Sequence, residues 1–265
     1  MENCCTNNTA SIDRIMEKYD YYLSINDIDN ATKHLSFWEK EYLSMRSLSL
    51  SDKRNLFSIE NELVGLYRNT SKKQEACKSI DILLNLIKEL ELQDTITCAT
   101  AYTNIATCYK VFSDIDLSIQ YFNNALDIYK TQSFDKNTYK YASLLNNYAL
   151  ALIDKCEYEK AYQYFNDAIT YLSNIKNAQL EVALTYLNLA TLKEKELGLL
   201  ESEQLIDEYL DKAKDILDSD DITKDSYYAF VCSKAKTVYE YYGYFLYSKE
   251  LDERMKRIYE GARTI

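Results

Sequence analysis

The sequence contains no proline and only 4 glycines in 265 residues. Tight β-turns depend on these two residue types, so a β-sandwich, a β-barrel or a many-looped enzyme is disfavoured. His34 is the single histidine, so a histidine-based catalytic triad could be built on no other residue, and there is no glycine-rich phosphate-binding loop. No pair of carboxylates is spaced in a way that distinguishes a catalytic acid and base from ordinary surface charge. These absences argue against an enzyme and against a bound cofactor.

Charge and hydrophobicity exclude further classes of protein. The formal net charge is −11 and the pI is about 4.8, which disfavours binding to nucleic acid or to an anionic membrane. Residues 1–10 are polar and are expected to form a disordered tail, and no run reaches the roughly 18 apolar residues of a membrane span. Seven cysteines without a Cys-x-x-Cys pair favour free, buried thiols, no metal site and a cytoplasmic protein.

Internal repetition is the strongest feature of the chain. Segment 102–109 (YTNIATCY) is followed by segment 118–125 (SIQYFNNA), and the same spacing separates 145–152 (LNNYALAL) from 161–168 (AYQYFNDA). Anchors at i, i+3, i+4 and i+7 of the first segments lie on one face of an α-helix. The pattern predicts pairs of antiparallel helices that repeat along the chain.

The template extends in both directions. In each copy of the repeat one residue opens the second helix, and these residues are Ala31, Ala76, Ser118, Ala161 and Ile206. They are separated by 45, 42, 43 and 45 residues. The fifth copy is expected to carry about four extra residues between its helices. Ser71-x-x-Gln74 predicts a capping box at a helix start. We expect an all-α protein of about six helix pairs forming one domain over residues 1–265, in which residues 227–265 form a degenerate, aromatic-rich capping repeat.

These residues resemble the tetratricopeptide repeat (TPR). The matching positions are Ile105, Ala106, Tyr109, Phe122, Ala125, Ala149, Ala161, Phe165 and Ala168. Two departures are the missing terminal proline and a period about eight residues longer than the usual 34. Longer repeats of this kind are similar to those of kinesin light chains and of peptide receptors of the Rap and PlcR type. The resemblance implies a right-handed superhelical solenoid that binds proteins or peptides without catalysis.

Three asparagines occupy one position of successive first helices. Asn104, Asn147 and Asn188 are separated by 43 and 41 residues, and first helices line the concave wall of such a solenoid. An amide carries a donor and an acceptor, so a column of amides suits an extended peptide backbone. The resemblance implies an asparagine ladder at this position. The alternative is that these amides are solvated or bond a neighbouring helix.

Other groove positions complete the candidate peptide-binding set. The positions expected to point inward are Asn61, Arg68, Lys110, Ser233 and Lys236. The two cations of the earlier repeats, Arg68 and Lys110, are candidates to receive a carboxylate, and ordinary solvated surface charges are the alternative.

The partner is expected to be a protein or a peptide. The ring-rich final helices indicate either a self-packed cap or a homodimer contact, because tyrosine suits interfaces. The leading interpretation is a scaffold that holds an extended segment in its groove. The alternative is a Rap-like, peptide-responsive regulator that acts through protein contact, since no helix-turn-helix segment precedes the repeats.

Overall fold

The computed structural model describes residues 11–131, 135 and 138–263, which form twelve α-helices. The first six are α1 (Ile12–Ser24), α2 (Ile28–Ser44), α3 (Leu50–Asn69), α4 (Lys73–Glu89), α5 (Ile96–Val111) and α6 (Ile115–Thr131). The other six are α7 (Tyr139–Asp154), α8 (Tyr158–Leu172), α9 (Gln179–Leu197), α10 (Leu199–Asp218), α11 (Ser226–Tyr241) and α12 (Phe245–Arg263). The expected tail at 1–10 lies outside the described residues.

The helices pack as six consecutive pairs, from α1/α2 to α11/α12. Odd-numbered helices from α3 onward also contact one another, so α3, α5, α7, α9 and α11 form one continuous inner wall. The even-numbered helices form the outer layer. The prediction of an all-helical solenoid of six helix pairs is therefore confirmed.

A small residue stands at the fourth position of every outer helix. These residues are 0 to 4% exposed, and they are Ala31, Ala76, Ser118, Ala161, Ser202 and Ser248. A small side chain there lets the backbones of the paired helices approach closely. The prediction for the fifth repeat was wrong by one helical turn: Ser202, not Ile206, occupies the position, because α10 begins directly after Gly198 instead of after a longer connection.

The turn inside each pair uses one residue with positive φ. Its φ lies between 55° and 87° in all six pairs, and the residues are Asn26, Ser71, Ser113, Cys156, Gly198 and Gly243. Only two of the six are glycine, so four turns hold an L-residue in the left-handed region that glycine adopts without steric cost. The predicted capping box is wrong: Ser71 forms the turn, and Lys72 is the N-cap of α4 without a side-chain hydrogen bond.

Tyrosines of the last helix pair form hydrogen bonds with α10 of the preceding pair. The hydroxyl of Tyr239 donates to Leu210 O at 2.6 Å, and that of Tyr247 donates to Asp218 at 2.9 Å. Arg254 forms an ion pair with the same Asp218 at 2.7 Å. Acidic α10 thus supplies acceptors for the rings of α11 and α12, which supports the self-packed cap.

The two ends of the solenoid meet. Helix α1 contacts α11, and Arg263 Nη2, at the end of α12, donates to Ile25 O at 3.3 Å. The chain separation of these two residues is 238 positions. The superhelix therefore curves far enough to bring its first and last pairs together.

Candidate functional site

A chain of hydrogen bonds crosses the inner wall from α1 to α5. The hydroxyl of Tyr19 donates to Glu62 Oε2 at 3.1 Å, and Asn61 Nδ2 donates to Glu62 Oε1 at 3.4 Å. Asn104 Nδ2 then donates to Asn61 Oδ1 at 2.9 Å. Three successive first helices are joined in this way by side chains that are buried or half-buried.

Burial shifts the pKa values of two charged residues in and beside this network. It raises the pKa of the Glu62 carboxyl, and the hydrogen bonds from Tyr19 and Asn61 oppose that shift. Burial also lowers the pKa of the Arg68 guanidinium, while the nearby Glu62 raises it. Arg68 donates through Nε to Asn69 Oδ1 at 3.2 Å. Arg68, which the sequence made a candidate to receive a ligand carboxylate, therefore lies near Glu62 of its own helix, α3.

The same kind of amide pair recurs further along the wall. Asn188 Nδ2 on α9 donates to Asn146 Oδ1 on α7 at 3.0 Å. Asn147 instead donates along its own helix, to Ser143 O at 2.9 Å and to Ser143 Oγ at 3.2 Å. All three asparagines line a cavity of about 770 Å³ between α7, α9 and α11.

The predicted asparagines therefore divide into two groups. Asn104 and Asn188 each bond an asparagine of the preceding first helix, whereas Asn147 does not. Asn146 was missed, because the repeat template aligned its neighbour Asn147 with Asn104. The adjacent Asn146-Asn147 pair was the signal that could have revealed it, since Asn61, which bonds Asn104, is offset from the template in the same way.

Lys110 is placed against an acid of the next repeat. Its ammonium lies 3.4 Å from Asp154 Oδ2, at the ends of α5 and α7. The sequence made Lys110 a candidate to receive a ligand carboxylate, with an ordinary solvated surface charge as the alternative, and in the structure an internal carboxylate lies beside it. The cavity between α7, α9 and α11 does not include it.

The groove positions expected on α11 need correction. Lys236 Nζ lies 2.6 Å from Asp252 Oδ1 of the outer helix α12, and Ser233 Oγ donates to Phe230 O of its own helix at 2.6 Å. The residues of α11 that line the cavity are Tyr227, Phe230, Lys234, Thr237 and Val238. The repeat template is weak in the last pair, so the predicted face was rotated by about one residue.

The wall of this cavity combines rings with a few polar groups. Its remaining lining residues are Tyr139, Ala142, Ser143, Leu150, Leu172, Glu181 and Leu184. Burial raises the pKa of the Glu181 carboxyl, and a hydrogen bond from Tyr227 opposes the shift. A concave, mostly apolar surface with a few convergent polar groups is the usual form of a binding site.

Comparison with known proteins identifies the repeat. Residues 97–174, which include α5 to α8, match the family model described as tetratricopeptide repeat. This segment therefore carries the tetratricopeptide repeat that the sequence resemblance predicted, and solved structures similar in fold to the chain include kinesin light chain-like repeats and Rap proteins. No curated protein sequence matches the chain significantly.

Three solved structures illustrate the likeness of fold. BtubC (BKLC) from P. vanneervenii has a TM-score of 0.54 at 17% identity and covers 97% of this chain and 94% of its own. A Rap protein in complex with Competence and Sporulation Factor has a TM-score of 0.56 at 15% identity, covering 94% and 77%. Kinesin light chain-like repeats from Podosopora anserina have a TM-score of 0.51 at 14% identity, covering 77% and 94%. At these identities the likeness concerns the fold.

Within the described residues, no helix combines the length and the apolarity that crossing a membrane requires. In the same part of the chain, no three His, Cys, Asp or Glu side chains form a group that could hold a metal ion.

Proposed function

We propose that this protein is a non-catalytic binding protein that holds an extended peptide or protein segment in its concave groove. Tetratricopeptide repeats, which the family model matches in residues 97–174, are in general protein-binding scaffolds and are usually non-catalytic. The observation that carries the proposal is the recurrence of an amide pair along the inner wall, Asn104 with Asn61 and Asn188 with Asn146.

The paired amides retain hydrogen-bonding capacity. Each donor asparagine uses one N–H, and among the contacts of the described residues none engages the Oδ1 of Asn104 or Asn188. A peptide group offers one N–H and one C=O, the complement of the remaining amide N–H and Oδ1. Pairing fixes the direction of each amide before a ligand arrives, which reduces the entropy lost on binding.

The direct test of peptide binding uses a pool of peptides with random sequences, because the natural ligand is not identified. Full-length protein is immobilised and challenged with a pool of random octapeptides that are acetylated and amidated at their ends. We expect the variant Asn104→Ala/Asn147→Ala/Asn188→Ala to retain little of the pool. Asn166→Ala, on the outer helix α8, is the matched control, because its amide bonds Tyr162 O within its own helix. Unchanged retention by the triple variant would remove the asparagines from the account.

A second candidate is a peptide-responsive regulator similar to the Rap proteins. The Rap structure is a complex with Competence and Sporulation Factor, and its fold is like that of this chain. The contact of Arg263 with Ile25 favours such a switch, because a change in superhelical pitch would separate the two ends. Small-angle scattering with and without the retained peptides distinguishes the two functions: a scaffold keeps its radius of gyration, and a regulator changes it.

Self-association through the C-terminal end is a further part of the proposal. The first turns of the neighbouring outer helices α10 and α12 expose large apolar side chains, with exposed fractions of 53% for Leu199, 82% for Leu200, 67% for Phe245 and 89% for Leu246. Covering such a surface with a second copy removes apolar area from water. Leu200→Glu/Leu246→Glu is expected to halve the mass measured by light scattering, and a single-chain mass for the unmodified protein at high concentration would rule the dimer out.

The free cysteines favour a location in a reducing compartment such as the cytoplasm. Cys98, Cys108 and Cys232 are buried and free. Burial raises the pKa of Cys98 and Cys108 to about 11, so both are protonated and unreactive at neutral pH. Cys156 departs from the expectation of buried thiols, because it is exposed in the turn before α8.

A further inference from the structure

Among the described residues, one carboxylate and one ammonium line the cavity between α7, α9 and α11. The carboxylate belongs to Glu181 in the first turn of α9, and its Oε2 is buried and has no hydrogen-bond partner among the residues that the structure describes. The ammonium belongs to Lys234, whose Nζ lies 5.4 Å from the centre of the Phe230 ring. A desolvated carboxylate oxygen without a donor costs free energy that a bound donor would recover.

Three aromatic rings line the same cavity as this carboxylate. Tyr139, Tyr227 and Phe230 line the same cavity, and each is left 41% exposed. The rings of Tyr227 and Phe230 are stacked, with centroids 6.0 Å apart and planes inclined by 21°. Aromatic faces attract ammonium and guanidinium groups, and the position of Lys234 over Phe230 shows that one of these faces accepts a cation.

We propose that this part of the groove binds a basic side chain of the ligand, lysine or arginine, between the rings of Tyr139, Tyr227 and Phe230 and the carboxylate of Glu181. The proposal rests on the proposed function, since it assigns one position of the peptide held there. A guanidinium or ammonium donates charge-assisted hydrogen bonds to Glu181 while its alkyl stem packs on Leu184.

The chemistry of the cavity distinguishes a basic ligand side chain from an acidic one. Burial raises the pKa of Glu181, and a bound cation would lower it again, so the two groups stabilise each other. Lys234 is exposed, and as a flexible surface lysine it can move aside when another cation approaches. An acidic side chain would instead face Glu181 at short range and be repelled.

The test uses four octapeptide pools on immobilised full-length protein. All are acetylated and amidated, contain neutral residues at random positions, and carry arginine, citrulline, glutamate or leucine at the fourth position. Citrulline has nearly the shape of arginine without its charge. We expect the arginine pool to be retained about tenfold better than the citrulline pool, as one charge-assisted contact in a partly enclosed site implies.

Two variants separate the charge of the site from its shape. Glu181→Gln keeps a hydrogen-bond acceptor for Tyr227 and is expected to lower retention of the arginine pool to that of the citrulline pool. Lys234→Met removes the like charge and is expected to raise it. Thermal unfolding of both variants checks that the fold is intact.

Each outcome decides a different point. Equal retention of all four pools overturns the basic pocket and leaves the peptide-binding function standing. Best retention of the glutamate pool, with a loss in Lys234→Met, also overturns it in favour of an acidic ligand. Retention of none of the pools contradicts the proposed function itself.

Discussion

Asn188 donates to Asn146 across 3.0 Å, and the two residues lie 42 positions apart on neighbouring inner helices. Asn104 and Asn61 form the equivalent bond 43 positions apart. The repeat period thus produces a side-chain contact as well as a helix–helix contact. It also places pre-oriented amides on the wall that a ligand would face.

The left-handed turns give a stability prediction. Cys156 has φ 60° and Gly243 has φ 87° at equivalent turns. Since an L-residue in this region costs free energy that glycine does not lose, Cys156→Gly is expected to stabilise the protein by about 1 kcal/mol. Gly243→Ala is the matched control: its added Cβ meets nothing within 4 Å, so the expected loss of about 1 kcal/mol comes from the backbone alone. Urea-unfolding midpoints measure both, and a lower midpoint for Cys156→Gly would contradict the turn geometry.

Stability is expected to fall as pH rises, because of one buried acid. Glu60 on α3 is fully buried, and burial raises its pKa to about 8, with the Ser79 hydroxyl opposing the shift and Glu39 adding to it. Between pH 4.5 and about 8 the folded state holds a proton that the unfolded state has lost, so the free energy of unfolding decreases with pH. The slope from one such group approaches about 1.4 kcal/mol per pH unit.

The amide variant Glu60→Gln should remove most of this slope and raise stability at pH 8. Glu159→Gln, at an exposed position of α8, serves as the control and should leave the slope unchanged. Denaturant unfolding at pH 5, 6.5 and 8 supplies the three free energies. A flat profile for the unmodified protein would show that Glu60 is ionised in the fold.

Close packing of the helices predicts the effect of a larger side chain. Ala149 is fully buried in α7, and Ala149→Leu is expected to cost roughly 1–3 kcal/mol, because the extra atoms must displace packed neighbours. Ala262, half-buried near the end of α12, is the control position for the same change. If Ala149→Leu and Ala262→Leu have the same melting temperature as the parent, the packing described for α7 is wrong.

The sequence predicted the helices well because small residues mark them. Ala31, Ala76, Ser118 and Ala161 are all fully buried where the template placed them. The fifth copy was misplaced because Ser202, the true equivalent, is followed one turn later by a more conspicuous apolar stripe of Ile206, Leu210 and Ala213.

The groove was predicted less completely. Asn104 and Asn188 are on the inner wall, but their partners follow from the rotation of one helix against the next, which the repeat spacing does not fix to one residue. Asn146 was missed for that reason. Lys236 was misplaced on α11 because the last pair has no clear template, and its ammonium lies instead against Asp252 of the outer layer.

The central claim is that the groove holds the backbone of a ligand through amides, and N-methylation of the ligand tests it most directly. Two random octapeptide pools, acetylated and amidated, are compared on the unmodified protein; one carries N-methyl groups on its four central residues. Methylation removes backbone N–H donors but leaves every side chain in place. The account predicts about tenfold weaker retention of the methylated pool, as the loss of one or two hydrogen bonds implies. Equal retention of the two pools would contradict it.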